Sequence, residues 1–177
     1  GGTGVTLTSG GNTIRLNGAV TLAGGTATVA SSAGNVTFES TVTGTTFDLT
    51  VNSGAGTTSF RGDVTGVGML TTDAAGATSI EAAAISGVTI DFNDPISLSA
   101  AATVTVTGTT SVDFAATIDG NGNSLTVNSP TTGFNGDVTE IGTLNTDAAG
   151  TTTISTAVVS GSTLDFNDDV VTTQTAA

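Results

Sequence analysis

Two short acidic stretches give this chain its main opportunity for chemistry. Asp91-Phe-Asn-Asp94 and Asp165-Phe-Asn-Asp168-Asp169 each set carboxylate and amide oxygens one to three residues apart. Oxygen-rich clusters of this kind suit a hard cation such as Ca²⁺, which collects about six to eight oxygens. Asp91, Asn93, Asp94, Asp165, Asn167, Asp168 and Asp169 are therefore the candidate ligands, and calcium is the one cofactor the sequence suggests. The competing reading is an Asx-type turn, in which the carboxylate caps its own backbone. The related stretch Leu16-Asn-Gly18 favours the turn, because it keeps the turn residues and has no acid. A second loop, Asp119-Gly-Asn-Gly-Asn123, opens with calcium-loop spacing. Ser124 then stands where such a loop needs Gly, and Pro130 where it needs a bidentate acid. It reads as a Gly/Asn turn with positive φ.

Most other chemistry is missing from the alphabet. There is no Cys and no His, which removes thiolate nucleophiles, disulfides, Cys-ligated metals and the Ser-His-Asp triad. The two basic residues are Arg15 and Arg61, so Schiff-base lysines and the P-loop are absent as well. A formal charge of −13 argues against nucleic acid and against an anionic membrane surface. An acidic surface keeps a repetitive β-protein soluble, or attracts divalent cations. A glycan-acting enzyme needs only two carboxylates at a suitable separation, but the chain has neither Trp nor Tyr to hold a sugar ring. The reading is not an enzyme. Arg61-Gly-Asp63 matches a tripeptide read by some adhesion receptors, and Asn35-Val-Thr37 matches a glycosylation acceptor. Both are short enough to arise by chance.

The elements that must position these residues are written in a repeat. Phe60-Arg-Gly-Asp-Val, Thr72-Asp-Ala-Ala-Gly76 and Ile90-Asp-Phe-Asn-Asp94 all return 74 residues later, beginning at Phe134, Thr146 and Leu164. Gly11, Val36 and Leu49 begin looser matches 76 residues before Gly87, Val112 and Leu125. The slack falls where Gly54-Ala-Gly-Thr57 is shortened to Pro130-Thr131, as in a surface loop. The organisation is one continuous array: residues 1–59 a partial repeat, 60–133 a full repeat and 134–177 a partial one. The opening Gly1-Gly-Thr-Gly has no secretory leader pattern and suggests a mature or excised segment. No apolar run is long enough to cross a bilayer as a helix.

Thr, Gly, Ala, Ser and Val dominate, and the β-branched residues favour pleated strands. Short alternating segments such as Val5-Thr-Leu7, Ile96-Ser-Leu98 and Leu125-Thr-Val127 are punctuated by Gly and Asn turns. Large apolar residues fall like beads: Leu16, Phe38 and Phe60 are 22 apart, as are Phe92 and Phe114. The fold class is all-β, and the favoured architecture is a parallel β-solenoid (β-helix) with coils of about 20 residues, built from the repeats of about 75 residues. Tandem β-sandwich domains are the alternative. The 32-residue gaps from Phe60 to Phe92 and from Phe134 to Phe166 strain the solenoid, which would need an extra partial coil or a protruding loop there. The phase of Phe38, Phe60, Phe92, Phe114, Phe134 and Phe166 marks them as core.

The Gly-Asp-Val, Leu-Thr-Val-Asn and Thr-Asp-Ala-Ala-Gly texture resembles large secreted bacterial surface proteins with β-strand repeats, of the filamentous-haemagglutinin-like and autotransporter-type adhesin kind. That resemblance covers the whole chain through texture and period, and carries no site residue across. It implies an extracellular or cell-surface location and a structural or adhesive role. The expected function is a segment or subunit of an extracellular fibre, adhesin or surface layer, acting by stiff stacking and head-to-tail self-association. The alternative is a calcium-dependent adhesion module with a host or neighbouring-cell ligand.

Overall fold

The computed structural model describes residues 4–99 and 102–174. Gly1, Ala177 and the first two alanines of the Ala100–Ala102 run lie outside them. The described chain is all-β and winds as a parallel β-solenoid of about eight turns, about 21 residues to a turn. Every strand pairing is parallel and joins one coil to the next. Sandwich domains joined by hairpins are therefore not what the sequence forms.

The pairings sort into three ladders, visited in order within each coil. The first begins with Val5–Ser9, Ala27–Ser31 and Leu49–Asn52 and ends with Thr131–Phe134, Thr151–Ile154 and Asp169–Thr172. The second carries Ile14–Leu16, Val36–Phe38, Thr57–Phe60, Ala77–Ile80 and Ile96–Leu98. The third opens with Val20–Thr21 and Val42–Thr43, runs through Ser124–Asn128 and 144–146, and ends with 163–165. Long strands such as Ala84–Phe92 and Val138–Thr146 bend at a register shift and serve two ladders each.

Period-two alternation puts one row of each strand into a narrow core; Leu49–Asn52 and Ser124–Asn128 alternate between buried and half-buried positions. Parallel in-register stacking sets like residues on like. Phe114 is 1% exposed and lies between Phe92 and Phe134, with ring centroids 5.8 and 5.3 Å away. Phe38 and Phe60 stack at 5.3 Å. Such aromatic pairs add about 0.5–1.5 kcal/mol beyond burial.

The 32-residue gaps need neither an extra coil nor a loop. Phe60 pairs with Ile80 one coil on, and Ile80 with Leu98 after that, so the second-ladder column simply continues in aliphatic residues. Phe92 belongs to a new column on the first ladder, one residue past the Ile90–Leu70 and Asp91–Thr71 pairs and directly below Phe114. The sequence repeat thus shifts ladder: Phe60 lies on the second and Phe134 on the first. The edges of the sequence units, at 59/60 and 133/134, fall inside strands Thr57–Phe60 and Thr131–Phe134.

Coil-on-coil contact also fixes glycine. A Cβ at Gly62 would overlap the backbone of Ser40, and one at Gly136 the backbone of Ala116. These two glycines occupy the same place in successive repeats.

Phe114→Ala removes the middle ring of the longest aromatic column and is expected to cost about 3–5 kcal/mol in denaturant unfolding. Phe47→Ala, at a half-buried corner, should cost clearly less. Equal effects would show that the columns are not the core.

Candidate functional site

The two acidic stretches fold into one arrangement, built twice at different corners. In the earlier copy, Thr72 ends a first-ladder strand and Thr78 lies in the second-ladder strand that follows it. Asp94 sits one coil further on, 1% exposed, with its carboxylate turned inward. Thr72 Oγ1 donates to Asp94 Oδ1 at 2.7 Å, and Thr78 Oγ1 lies 2.9 Å from both carboxylate oxygens. Asn93 completes the clamp: its backbone N–H donates to Thr72 Oγ1 at 3.1 Å and its Nδ2 to the Thr72 carbonyl at 2.8 Å.

The later copy repeats this arrangement, with one threonine on each carboxylate oxygen. Thr146 and Thr152 each donate to Asp168 at 2.8 Å, and Asn167 reaches the hydroxyl and carbonyl of Thr146 at 3.2 and 2.8 Å. It lies at the corner between the third and first ladders, because the repeat has moved round the solenoid. Asp168 is half-buried there, on the last described coil.

This geometry goes beyond a self-capping turn. Asp94 and Asp168 each tie two threonines of the preceding coil, and the Asp94 carboxylate also takes a hydrogen bond from its own backbone. The remaining candidates face away from them. Asp91 alternates with buried Phe92 on the outer surface, in register with Thr71 and Asp113. Asp165 is exposed beside Asn145, and Asp169 is exposed opposite Thr151. The seven residues are thus divided between inside and outside, and among the described residues no group of three or more His, Cys, Asp or Glu is placed to hold a metal ion.

Burial raises the Asp94 carboxyl above its ordinary value, and the hydrogen bonds from Thr72, Thr78 and its own backbone only partly oppose that. Asp91 is raised too, first by partial burial and then by the charge of Asp113. Asp119-Gly-Asn-Gly-Asn123 is the turn the sequence suggests: Asn121 and Gly122 have φ of 47° and 77°, and Asn121 N–H donates to Asp119 Oδ1 at 3.0 Å.

Both arginines belong to one charged ladder. Arg15 reaches Glu39 at 2.6 Å, and Arg61 bridges Glu39 and Glu81 at 3.0 and 3.2 Å. Arg61-Gly-Asp63 is consequently part of a flat coil wall. Asp63 accepts from the N–H groups of Ala83 and Ala84 at 3.0 Å, and the Asp137 counterpart accepts from Val158 N–H at 3.2 Å. Asn35, in the glycosylation pattern, is exposed and accepts from Thr57 N–H at 2.9 Å.

Two further features escaped the sequence reading. Thr58 and Thr132, again equivalent positions, bury hydroxyls that find no partner. Each stacks directly beneath a clamp threonine, Thr78 or Thr152. The signal was present, since Thr recurs at 58/132, 72/146 and 78/152. The surface depressions gather little chemistry: one beside Gly122 and Ser160 holds Glu140 as its only carboxylate, and another beside Ser32 and Asn52 holds only Asp73. The chain matches no protein-family model, no curated protein and no solved structure.

Because burial penalises the charged form, the stability Asp94 contributes is fully present below its unfolded value of 3.8 and is lost as pH rises through the raised folded value. Asp94→Asn should therefore gain on the parent as pH rises from below 3.8 to 7. The difference in unfolding free energy, measured across that range, checks this; a constant difference would contradict a buried titrating carboxyl.

Proposed function

We propose that this chain is a structural segment or subunit of an extracellular or cell-surface bacterial assembly (a fibre, adhesin or surface layer) that acts as a stiff rod joined end to end. About eight coils at about 4.8 Å apiece make a rod roughly 38 Å long. One observation carries the reading: among the described residues, both outer coils present an apolar edge. Val5–Ser9 and Asp169–Thr172 each pair on one side only within those residues. Beside the first, a cavity of about 380 Å³ opens among Val5, Leu7, Leu16, Val20, Leu22 and Phe38. At the other edge Val170 and Val171 are 43% and 46% exposed. Strand edges with free N–H and C=O groups are templates for further strands, and stacking hides both the edge and the core behind it.

The rest of the molecule fits a mechanical role. The inward carboxylates tie coil to coil, Arg61 is spent on intramolecular bridges, and the resemblance to repeat-built surface proteins supports secretion. The acidic surface keeps neighbouring rods apart sideways. A calcium-dependent adhesion module is the second reading, and Asp91 aligned with Asp113 on the outer wall is what favours it.

Negative-stain microscopy and sedimentation across protein concentration test the proposal. Rods of constant width whose length grows with concentration are expected, with melting curves that superimpose with and without calcium. Dispersed single particles throughout would refute end-to-end joining, and calcium-dependent stabilisation would favour the adhesion module.

A further inference from the structure

The two edges differ in charge as well as in position. Residues 1–38 contain no acid, and Arg15 is their only charge; residues 155–177 contain Asp165, Asp168 and Asp169 and no base. A rod with one weakly cationic edge and one anionic edge favours heterologous, head-to-tail contact over contact between like edges. Arg15 is also incompletely used. It bridges to Glu39 on the coil above, while its side chain, on the first described coil, stays 57% exposed.

The ladders set the register. Ladders are visited in the order first, second, third, and the last described strand, Asp169–Thr172, lies on the first. The spiral's next place is therefore on the second ladder, above Val159. The first described strand, Val5–Ser9, belongs to the first ladder of its own copy. An unbroken spiral thus requires the incoming copy to turn by one third, so that its first ladder meets the second, its second the third and its third the first. The chain already tolerates such a shift, since its sequence repeat moves equivalent strands from one ladder to another.

We infer, on the basis of end-to-end joining, that the occupant of this edge is a second copy of the same chain, seated head to tail with a one-third turn. Ile14 then lies over Leu164, Leu16 over Phe166 and Val20 over Val170. These pairs have the same spacing, Ile14 to Val20 and Leu164 to Val170. In and out also agree: Val20 and Val170 occupy inward columns, while Thr21 and Val171 are exposed. Arg15 comes over Asp165 at the strand spacing of about 4.8 Å, extending the Arg15–Glu39–Arg61–Glu81 ladder by one more alternating charge.

The chain has no Cys, so single-cysteine variants report the register cleanly. Thr21→Cys mixed with Val171→Cys should form an intermolecular disulfide on mild oxidation. Thr6→Cys mixed with Val171→Cys, the pair an unturned contact would align, should not, nor should either variant with itself. As a second measure, Arg15→Glu should weaken association in sedimentation, and adding Asp165→Arg should restore it, with the parent weakening as salt rises. Rods that form but cross-link through Thr6→Cys would overturn the turned register while leaving end-to-end joining intact. Self-pairs would overturn head-to-tail polarity. A protein that stays monomeric would overturn both readings.

Discussion

Everything in this molecule depends on one constraint: each coil must present to the next a parallel edge with the same inward and outward alternation. Parallel ladders hold neighbouring backbones about 4.8 Å apart, so a side chain's nearest neighbour is its counterpart one coil away. That distance suits stacked phenylalanines, aligned valines and aligned threonines. It also explains how so small an alphabet suffices. A core only a few side chains across is filled by β-branched residues and a column of Phe, with no need for Trp or disulfides.

The same constraint decides where polar groups go. A carboxylate at a corner has two choices, water or the hydroxyls of the coil beneath it. Asp94 and Asp168 take the second, and each has an Asn beside it that closes the remaining threonine groups. Desolvation makes this costly for the ion, yet leaving Thr72 and Thr78 without partners in the core would be costly as well. Thr58 and Thr132 show the alternative, since the column beneath the clamp ends in a hydroxyl with nothing to donate to.

Repeat, strand class and coil length were legible in the sequence because they depend on spacing alone. The ladder shift was not. Bead spacing reveals a coil only while one column keeps a conspicuous residue; when Ile80 and Leu98 succeed Phe60, the column continues unseen and Phe92 looks displaced. The direction of Asp94 was hidden for a different reason. Aspartate beside Asn and Pro is ordinarily read as a solvated turn, and only the threonines 22 and 16 residues earlier give it an inward destination. The Arg61 ladder was visible in principle, as Glu39 and Glu81 stand one coil to either side. Its role was obscured by reading Arg61-Gly-Asp63 along the chain instead of across the coils.

The ladder shift has a bearing on what the outer surface can do. From Thr57–Phe60 to Thr131–Phe134 the chain passes eleven ladder positions, three coils of three and two more. Eleven is not a multiple of three, so each repeat displays its surface residues one face round from the last. The outer wall accordingly varies: Arg61 on one face becomes Asn135 on another, and Met69 becomes Thr143. A lateral partner reading one repeat motif would meet it on the same face only once in three repeats, which is a poor design for a continuous binding stripe. The coil edge is indifferent to this rotation, because it asks only for the alternation that every ladder shares. A chain that repeats its sequence while rotating its faces therefore offers the same alternation along the axis at every coil, which is what supports the proposed end-to-end joining.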